Sequence, residues 1–389
     1  MEQAQQDILD GILVVDLTRV LGGPFCTQIL GDFGADVIKI EPPQGDETRG
    51  WGPPFVNGAA AYFEGVNRNK RGLSLDLGSA EGRDALLRLL EGADVLVHNF
   101  KPGAMERWGL GNDMLEALYP ALVICWVTGF GEDGPHGGQP GYDAVAQGLT
   151  GLMSVNGDSG GPPLRLGVPV VDIMTGMNAA LGIVMALFER VRSGRGQRIE
   201  NALFDNGLSI LHPHLANHLA NGSVPARTGS AHPNIAPYDI FRAGDGNIFL
   251  AVGNDRQFAR LCDELGLADL ADSSDYATNA DRSGNRVTLK SRLEAAMTTR
   301  GVSELAERLT ARGVPCGPIL NVAEAVAQQQ TRTREMIVEI EGGYRGTASP
   351  IKLSRTPARY RRRPPALDEH REEVLNALDA PARNRKKAD

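Results

Sequence analysis

Asp172 stands in the setting best suited to chemistry in this 389-residue chain. It ends the apolar run Val168-Pro-Val-Val171 and immediately precedes a regular helix expected over Met174–Arg192. By position it is a helix N-cap, accepting a hydrogen bond from the N2 or N3 amide and gaining from the helix dipole. A carboxylate held by helix amides keeps a low pKa and stays ionised. An ionised carboxylate beside a loop-rich cleft is also what nucleophilic attack on an activated acyl group requires, so cap and nucleophile both stand. The second constellation is Asn99-Phe-Lys-Pro-Gly103 at the C-terminal end of an expected strand, where open α/β sheets bind ligands. Arg107 and the segment Asn69-Lys-Arg71 add cations. A diphosphate needs clustered cations, and an adenine ring needs an aromatic or apolar slot.

Two further motifs weigh less. Gly129-x-Gly131-x-x-Gly134 has the spacing of a dinucleotide fingerprint, but Pro135, Gly137, Gly138 and Pro140 follow. No helix N-terminus can begin in time to meet a pyrophosphate there. His212, His214 and His218 contain an i, i+4 pair, yet no glutamate lies between them and Pro213 disturbs the helix. They read as surface or packing residues, and no metal site is expected.

The elements that must position these residues alternate in type. Ile12–Leu17, Asp36–Glu41, Asp94–His98 and Leu122–Val127 are short apolar strands, separated by amphipathic helices such as the one starting near Ser79. Pro24 suits the first turn of a helix that runs to about Phe33 and stops at Gly34. Such alternation implies a parallel sheet covered on both faces, hence an α/β fold. Residues 129–167 are rich in glycine and proline and form a long loop with a short helix near Ala144–Leu152. In the helix after Asp172, the residues Met177, Leu181, Val184, Phe188 and Val191 mark one apolar face. A second composition block, residues 222–321, reads as a smaller α+β domain entered through the linker 222–232, and residues 322–389 form a third segment. The last of these ends in a basic tail, Arg383 to Lys387, expected to be solvated.

Composition narrows the class. Forty basic against 48 acidic side chains give a net charge of −8, which argues against a broad nucleic-acid-binding face. The longest apolar stretch, Ala179 to Phe188, is far short of the roughly 20 residues of a membrane span. A polar N-terminus without a signal-peptide pattern and four scattered cysteines fit a reducing cytoplasm. The expectation is a cytoplasmic enzyme with no nucleic-acid or membrane partner.

Taken in order, these motifs resemble the class III coenzyme A transferases (CaiB/BaiF type), a group that includes formyl-CoA transferase, the carnitine CoA-transferases and α-methylacyl-CoA racemase. The resemblance rests on Asp16-Leu-Thr-Arg-Val20 with Gly23-Pro24, Gly34-Ala-Asp-Val-Ile-Lys-Ile-Glu41, Asn69-Lys-Arg71, Asn99-Phe-Lys-Pro-Gly103, Gly141-Tyr-Asp143 and Gly167-Val-Pro-Val-Val-Asp172. His232-Pro-Asn-Ile and Gly253-Asn-Asp-Arg-Gln-Phe258 extend it through the small domain. It implies a Rossmann-like large domain formed by residues 1–221 and completed by 322–389, the small domain at 222–321, and an interlocked homodimer. It implies Asp172 as the nucleophile that forms a mixed anhydride and then an aspartyl-CoA thioester, which a carboxylic acid acceptor takes up. It also implies contact with coenzyme A, as part of the acyl-CoA substrate and not a tightly bound cofactor, at Arg19, Val20, Leu75, Asn99, Phe100, Lys101, Arg107 and Tyr142.

Three departures refine it. Pro42 and Gly78 stand where some relatives place a basic residue near the CoA phosphates. Tyr142 stands where the racemase branch has a histidine base, which removes half of the acid/base pair for α-proton exchange. Gly253-Asn-Asp-Arg-Gln has one glycine where the oxalate-using branch has a glycine-rich flap, which disfavours formyl-CoA:oxalate exchange. The small-domain sequence is closer to members using succinyl-CoA with a dicarboxylate or hydroxyacid. An acyl-CoA racemase, a non-catalytic acyl-CoA binder and, from the glycine spacing alone, a nicotinamide-dependent dehydrogenase are the alternatives.

Overall fold

A computed structural model describes residues 6–379; the basic tail at 383–387 lies outside the described residues. The chain divides into two units, one of residues 1–150, 166–210 and 329–389, the other of 151–165 and 211–328. The crossings fall at 210/211 and 328/329, against the sequence expectation of 221/222 and 321/322. Hydrogen bonds account for the first of these. Asn217, on the helix His214–Asn221, donates to Asn234 Oδ1 at 2.9 Å, and Arg227 Nη2 donates to the Gly161 carbonyl at 2.5 Å. These ties hold the helix and the 151–165 loop to the second unit.

The first unit is built on six parallel strands: β1 (Leu13–Asp16), β2 (Asp36–Glu41), β3 (Lys70–Ser74), β4 (Val95–His98), β5 (Val123–Thr128) and β6 (Arg198–Ala202). Their order across the sheet is 3-2-1-4-5-6, the doubly wound Rossmann order. Register sets apolar residues side by side, Val14 against both Val37 and Val95, and Val95 against Val123. Helices α1 (Gly22–Asp32), α2 (Ala80–Leu90), α3 (Asp143–Leu149) and α4 (Val170–Ser193) connect and cover them. Ser79 caps α2, its Oγ accepting from the Gly82 amide at 3.0 Å. The C-terminal segment closes this unit. Asn69 accepts from the amides of Arg361 and Arg362 and donates to the Arg359 carbonyl, and Val374 and Leu378 enter the core with Leu73, Leu86 and Leu96.

Helix α4 differs from expectation in two ways. It begins at Val170, ahead of Asp172, and the apolar stripe read as its marked face is the exposed one. Phe188 is 68% and Val191 84% exposed, with Met177, Leu181 and Val184 beside them. The buried face carries small residues, Thr175, Gly176, Ala179 and Ala180, with Val171 and Ile183. Close approach to α1 demands this: a Cβ on Gly176 would stand 2.5 Å from the Gly22 carbonyl oxygen. By length and composition α4 could cross a bilayer, but this buried face packs within the unit.

The second unit is the expected smaller α+β domain. Strands β7 (Tyr238–Arg242), β8 (Asn247–Ala251) and β9 (Cys316–Pro318) form an antiparallel sheet with β8 central. Helices Asp255–Leu265, Arg286–Met297 and Val302–Ala311 bury Leu261, Leu293 and Leu305 with Ile248 and Leu250.

Candidate active site

In a 3-2-1-4-5-6 sheet the connections leave β1 and β4 in opposite directions, opening a crevice at the C-terminal ends of these two neighbours. The turn after β1 supplies Arg19, Val20 and Leu21, and the loop after β4 supplies Asn99, Phe100 and Lys101. The glycine-rich loop after β5, ending in Gly141 and Tyr142, forms another wall, and Asp172 closes the cleft. Trp126 fixes the β4 loop by donating its indole N–H to the Phe100 carbonyl at 3.0 Å, and the Phe100 ring packs edge-on against Trp108.

Asp172 is the third residue of α4 and does not cap it. The cap is Asp143, at the start of α3, whose Oδ1 accepts from the amides of Val171 (2.8 Å) and Asp172 (3.2 Å). Gln147 Nε2 donates to the other Asp143 oxygen at 2.6 Å, while Gln147 Oε1 accepts from the Leu166 amide. The Asp172 carboxylate itself accepts no hydrogen bond among the described residues. Gly22 lies against Asp172: a Cβ there would stand a tight 3.2 Å from the Asp172 carbonyl oxygen and at ordinary contact, 3.5 Å, from its Oδ1. The low pKa expected of a capping aspartate is therefore overturned. Burial, followed by the like charge of Asp143, pushes Asp172 up to about 7. The dipole at the start of α4 works the other way, but its contribution of about 0.3–1 kcal/mol is too small to win. Tyr62 senses the same charges; burial and then Asp172, Asp143 and Asp46 raise its phenol to about 12.

Below the cleft lies a charged cluster with no access to solvent. Lys70 Nζ meets Asp16 Oδ2 at 3.0 Å, and Lys39 Nζ meets Asp46 Oδ2 at 3.2 Å. Burial lowers Lys70 to about 8, whereas for Lys39 the surrounding carboxylates outweigh burial and raise it. By contrast Arg19 and Lys101, at the cleft, make no side-chain hydrogen bond or ion pair among the described residues.

The site thus offers an unpaired carboxylate facing free cations at a sheet switch point, and the sequence matches CoA-transferase family III over residues 9–371. The chain belongs to that family. This transferase is 42% identical to a succinate–glutarate CoA-transferase of Agrobacterium fabrum over 382 residues, 95% of this chain and 96% of that protein. It is 40% identical to an acetyl-CoA:oxalate CoA-transferase of Acetobacter aceti over 347 residues, 89% of each chain. A crystal structure of a CaiB/BaiF family protein from Brucella suis superposes with a TM-score of 0.88 at 42% identity, covering 96% of this chain and all of that one. The family relationship and the α/β fold expected from the sequence both hold, and the protein is a CoA-transferase, acting between an acyl-CoA and a carboxylic acid.

Of the residues singled out in the sequence, the transferase brings Asp172, Arg19, Val20, Asn99, Phe100, Lys101 and Tyr142 around one cleft. Leu75 and Arg107 lie outside its lining. Leu75 is buried with Leu73 and Leu77 in the core, and Arg107 ends the short helix Ala104–Arg107 with its guanidinium beside Gly103. Asn69-Lys-Arg71 does not form a ligand site: Asn69 ties down the C-terminal segment, Lys70 pairs with Asp16, and Arg71 pairs with Asp36 and Glu373. The glycines 129–134 lead to no helix before Asp143; Gly129 and Gly131 line the cleft instead. Sequence reading missed the capping role of Asp143 and the contact of Gly22. The i, i+4 pair Asp143–Gln147 was the visible signal for the first; the second has none, because it joins segments 150 residues apart.

Proposed function

We propose that this transferase moves coenzyme A between succinyl-CoA, or a similar acyl-CoA, and a small di- or hydroxycarboxylic acid, with Asp172 as nucleophile. The observation that carries the reading is a half-buried carboxylate, free of hydrogen bonds among the described residues, at a cleft whose cations Arg19 and Lys101 are unpaired. The ionised Asp172 oxygen attacks the thioester carbonyl and expels CoA thiolate, leaving an acyl–aspartyl anhydride. The thiolate then attacks the aspartyl carbonyl, releasing the donor acid and forming an aspartyl-CoA thioester. The acceptor carboxylate displaces the thiolate again to give a second anhydride. Thiolate attack on its acyl carbonyl yields the new acyl-CoA and restores Asp172. One negative charge passes through every step and no proton moves, so the site needs no general base. Tyr142 in place of histidine is consistent with that and speaks against a racemase. Raised basicity makes Asp172 a better nucleophile than an ordinary carboxylate, at the cost of being only about half ionised near pH 7. Arg19 and Lys101 meet the phosphates of coenzyme A. The relatives named for succinate–glutarate and acetyl-CoA:oxalate transfer support short dicarboxylates as the acid class.

The active form is a homodimer, each subunit threaded through its partner. The exposed stripe of Met177, Leu181, Val184, Met185, Phe188 and Val191 on α4 supports this, since single exposed apolar residues are common but a continuous row marks an interface.

Incubation with a panel of acyl-CoAs (succinyl, acetyl) and acids (glutarate, oxalate, hydroxyacids), followed by mass spectrometry, tests the reaction. New thioesters are expected, and hydroxylamine added during turnover should convert Asp172 to its hydroxamate. Binding of CoA with no exchange across the panel would leave a binder, and deuterium uptake at the α-carbon would show an isomerase.

A further inference from the structure

Four consecutive backbone groups beneath the cleft are held by side chains and not by sheet or helix. The Thr18 amide donates to Asp16 Oδ1 at 2.9 Å, and Lys39 Nζ donates to the Thr18 carbonyl at 2.9 Å. The Arg19 amide donates to Asn99 Oδ1 at 3.0 Å, and Asn99 Nδ2 donates to the Arg19 carbonyl at 2.8 Å. The next residue, Val20, has φ 72°. For a β-branched side chain this left-handed conformation is a true outlier, and it persists only where the surroundings over-determine it. Immediately beyond it α1 begins with Gly22 against Asp172 and Gly23, whose Cβ would stand 2.5 Å from the Thr18 side chain. The strained residue therefore lies between the clamp and the contact with the carboxylate.

We infer that Asn99 is a positioning residue. Its amide is spent on both backbone polar groups of Arg19, and by pinning that residue it keeps Val20 left-handed. The Arg19 guanidinium and the Gly22 backbone are thereby held in register with Asp172. The resemblance implied a direct contact of Asn99 with coenzyme A; here the side chain acts on the ligand through the β1–α1 turn. The inference rests on the cleft being the coenzyme A site.

A comparison of two backgrounds tests it. Val20→Gly removes the strain, because glycine occupies the left-handed region freely. In ligand-free protein, Asn99→Ala should quicken hydrogen exchange at the Gly22 and Gly23 amides in the wild-type background but not with V20G present. In calorimetry with coenzyme A as the probe, N99A should weaken binding tenfold or more in the wild-type background and less than threefold with V20G. The thermal midpoint should fall no further in the wild-type background than with V20G, since relaxation of the turn releases strain. Equal losses of affinity in both backgrounds would mean that Asn99 touches the ligand itself and would overturn the inference. So would equal exchange in both. Should N99A fail to fold, Asn99→Asp, which keeps the acceptor for the Arg19 amide but sets a charged carboxylate oxygen against the Arg19 carbonyl, is read by the hydrogen-exchange arm of the same comparison. If the unaltered protein binds no coenzyme A, the functional reading fails while the exchange result still decides the clamp.

Discussion

Asp172→Asn separates the two roles that the sequence left open. Were Asp172 a cap, the change would cost little, since asparagine caps about as well as aspartate. The structure predicts a gain. A rise from 3.8 to about 7 disfavours the ionised form by about 4 kcal/mol once both folded and unfolded states are ionised. The folded-state pKa lies above the unfolded one, so the folded protein holds the proton more tightly and stability falls as pH rises between the two values. The destabilisation is about 1.7 kcal/mol at pH 5 and about 4 kcal/mol at pH 8. The neutral amide escapes it, so D172N should be more stable than the wild type at pH 8, and that advantage should shrink by roughly 2–3 kcal/mol on going to pH 5. Urea denaturation of both proteins at the two pH values, at one protomer concentration, measures this. Acyl transfer by D172N should be abolished while CoA binding persists, because an amide cannot form the anhydride. Equal stability differences at pH 5 and pH 8 would refute the burial argument, and near-normal transfer by folded D172N would remove the nucleophile.

Wild-type kcat/KM should rise with pH through about 7 as Asp172 ionises; Asp143→Asn, which keeps an acceptor for the α4 amides but removes the like charge, should move that limb to lower pH. The same variant should lose about 1 kcal/mol of stability with the Gln147 bond, and an unmoved limb would count against the charge coupling. Arg19→Ala and Lys101→Ala should each weaken binding of CoA by about 1.5–3 kcal/mol and leave phosphate-free pantetheine thioesters nearly unaffected, as calorimetry would show. Arg107→Ala carries the same comparison to a residue outside the cleft lining; equal loss for both ligands would remove it from the phosphate site. Sedimentation at low micromolar concentration should find a dimer that does not dissociate on dilution, and a monomer there would rule out threaded subunits.

The sequence by itself determined the α/β alternation, because β-branched runs such as Val14-Val15 and Val95-Leu96-Val97 admit only buried parallel strands between amphipathic helices. Strand-end and loop position also marked Asn99 to Lys101 and Asp172, because those are local features, whereas Arg19 and Tyr142 were implied only by the family resemblance. What it could not decide were quantities set by distant neighbours. Helix α4 was read with its exposed stripe as its marked face, because periodicity reports that a face is apolar and not what covers it. The cap passed from Asp172 to Asp143, and the carboxylate pKa moved upward instead of down, because both depend on packing between α3 and α4. Lys70 looked like a ligand-binding cation and is instead sealed against Asp16 beneath the turn. Charge type is written in the chain, but burial and partner, which fix what a charge does, exist only once the strands close into a sheet.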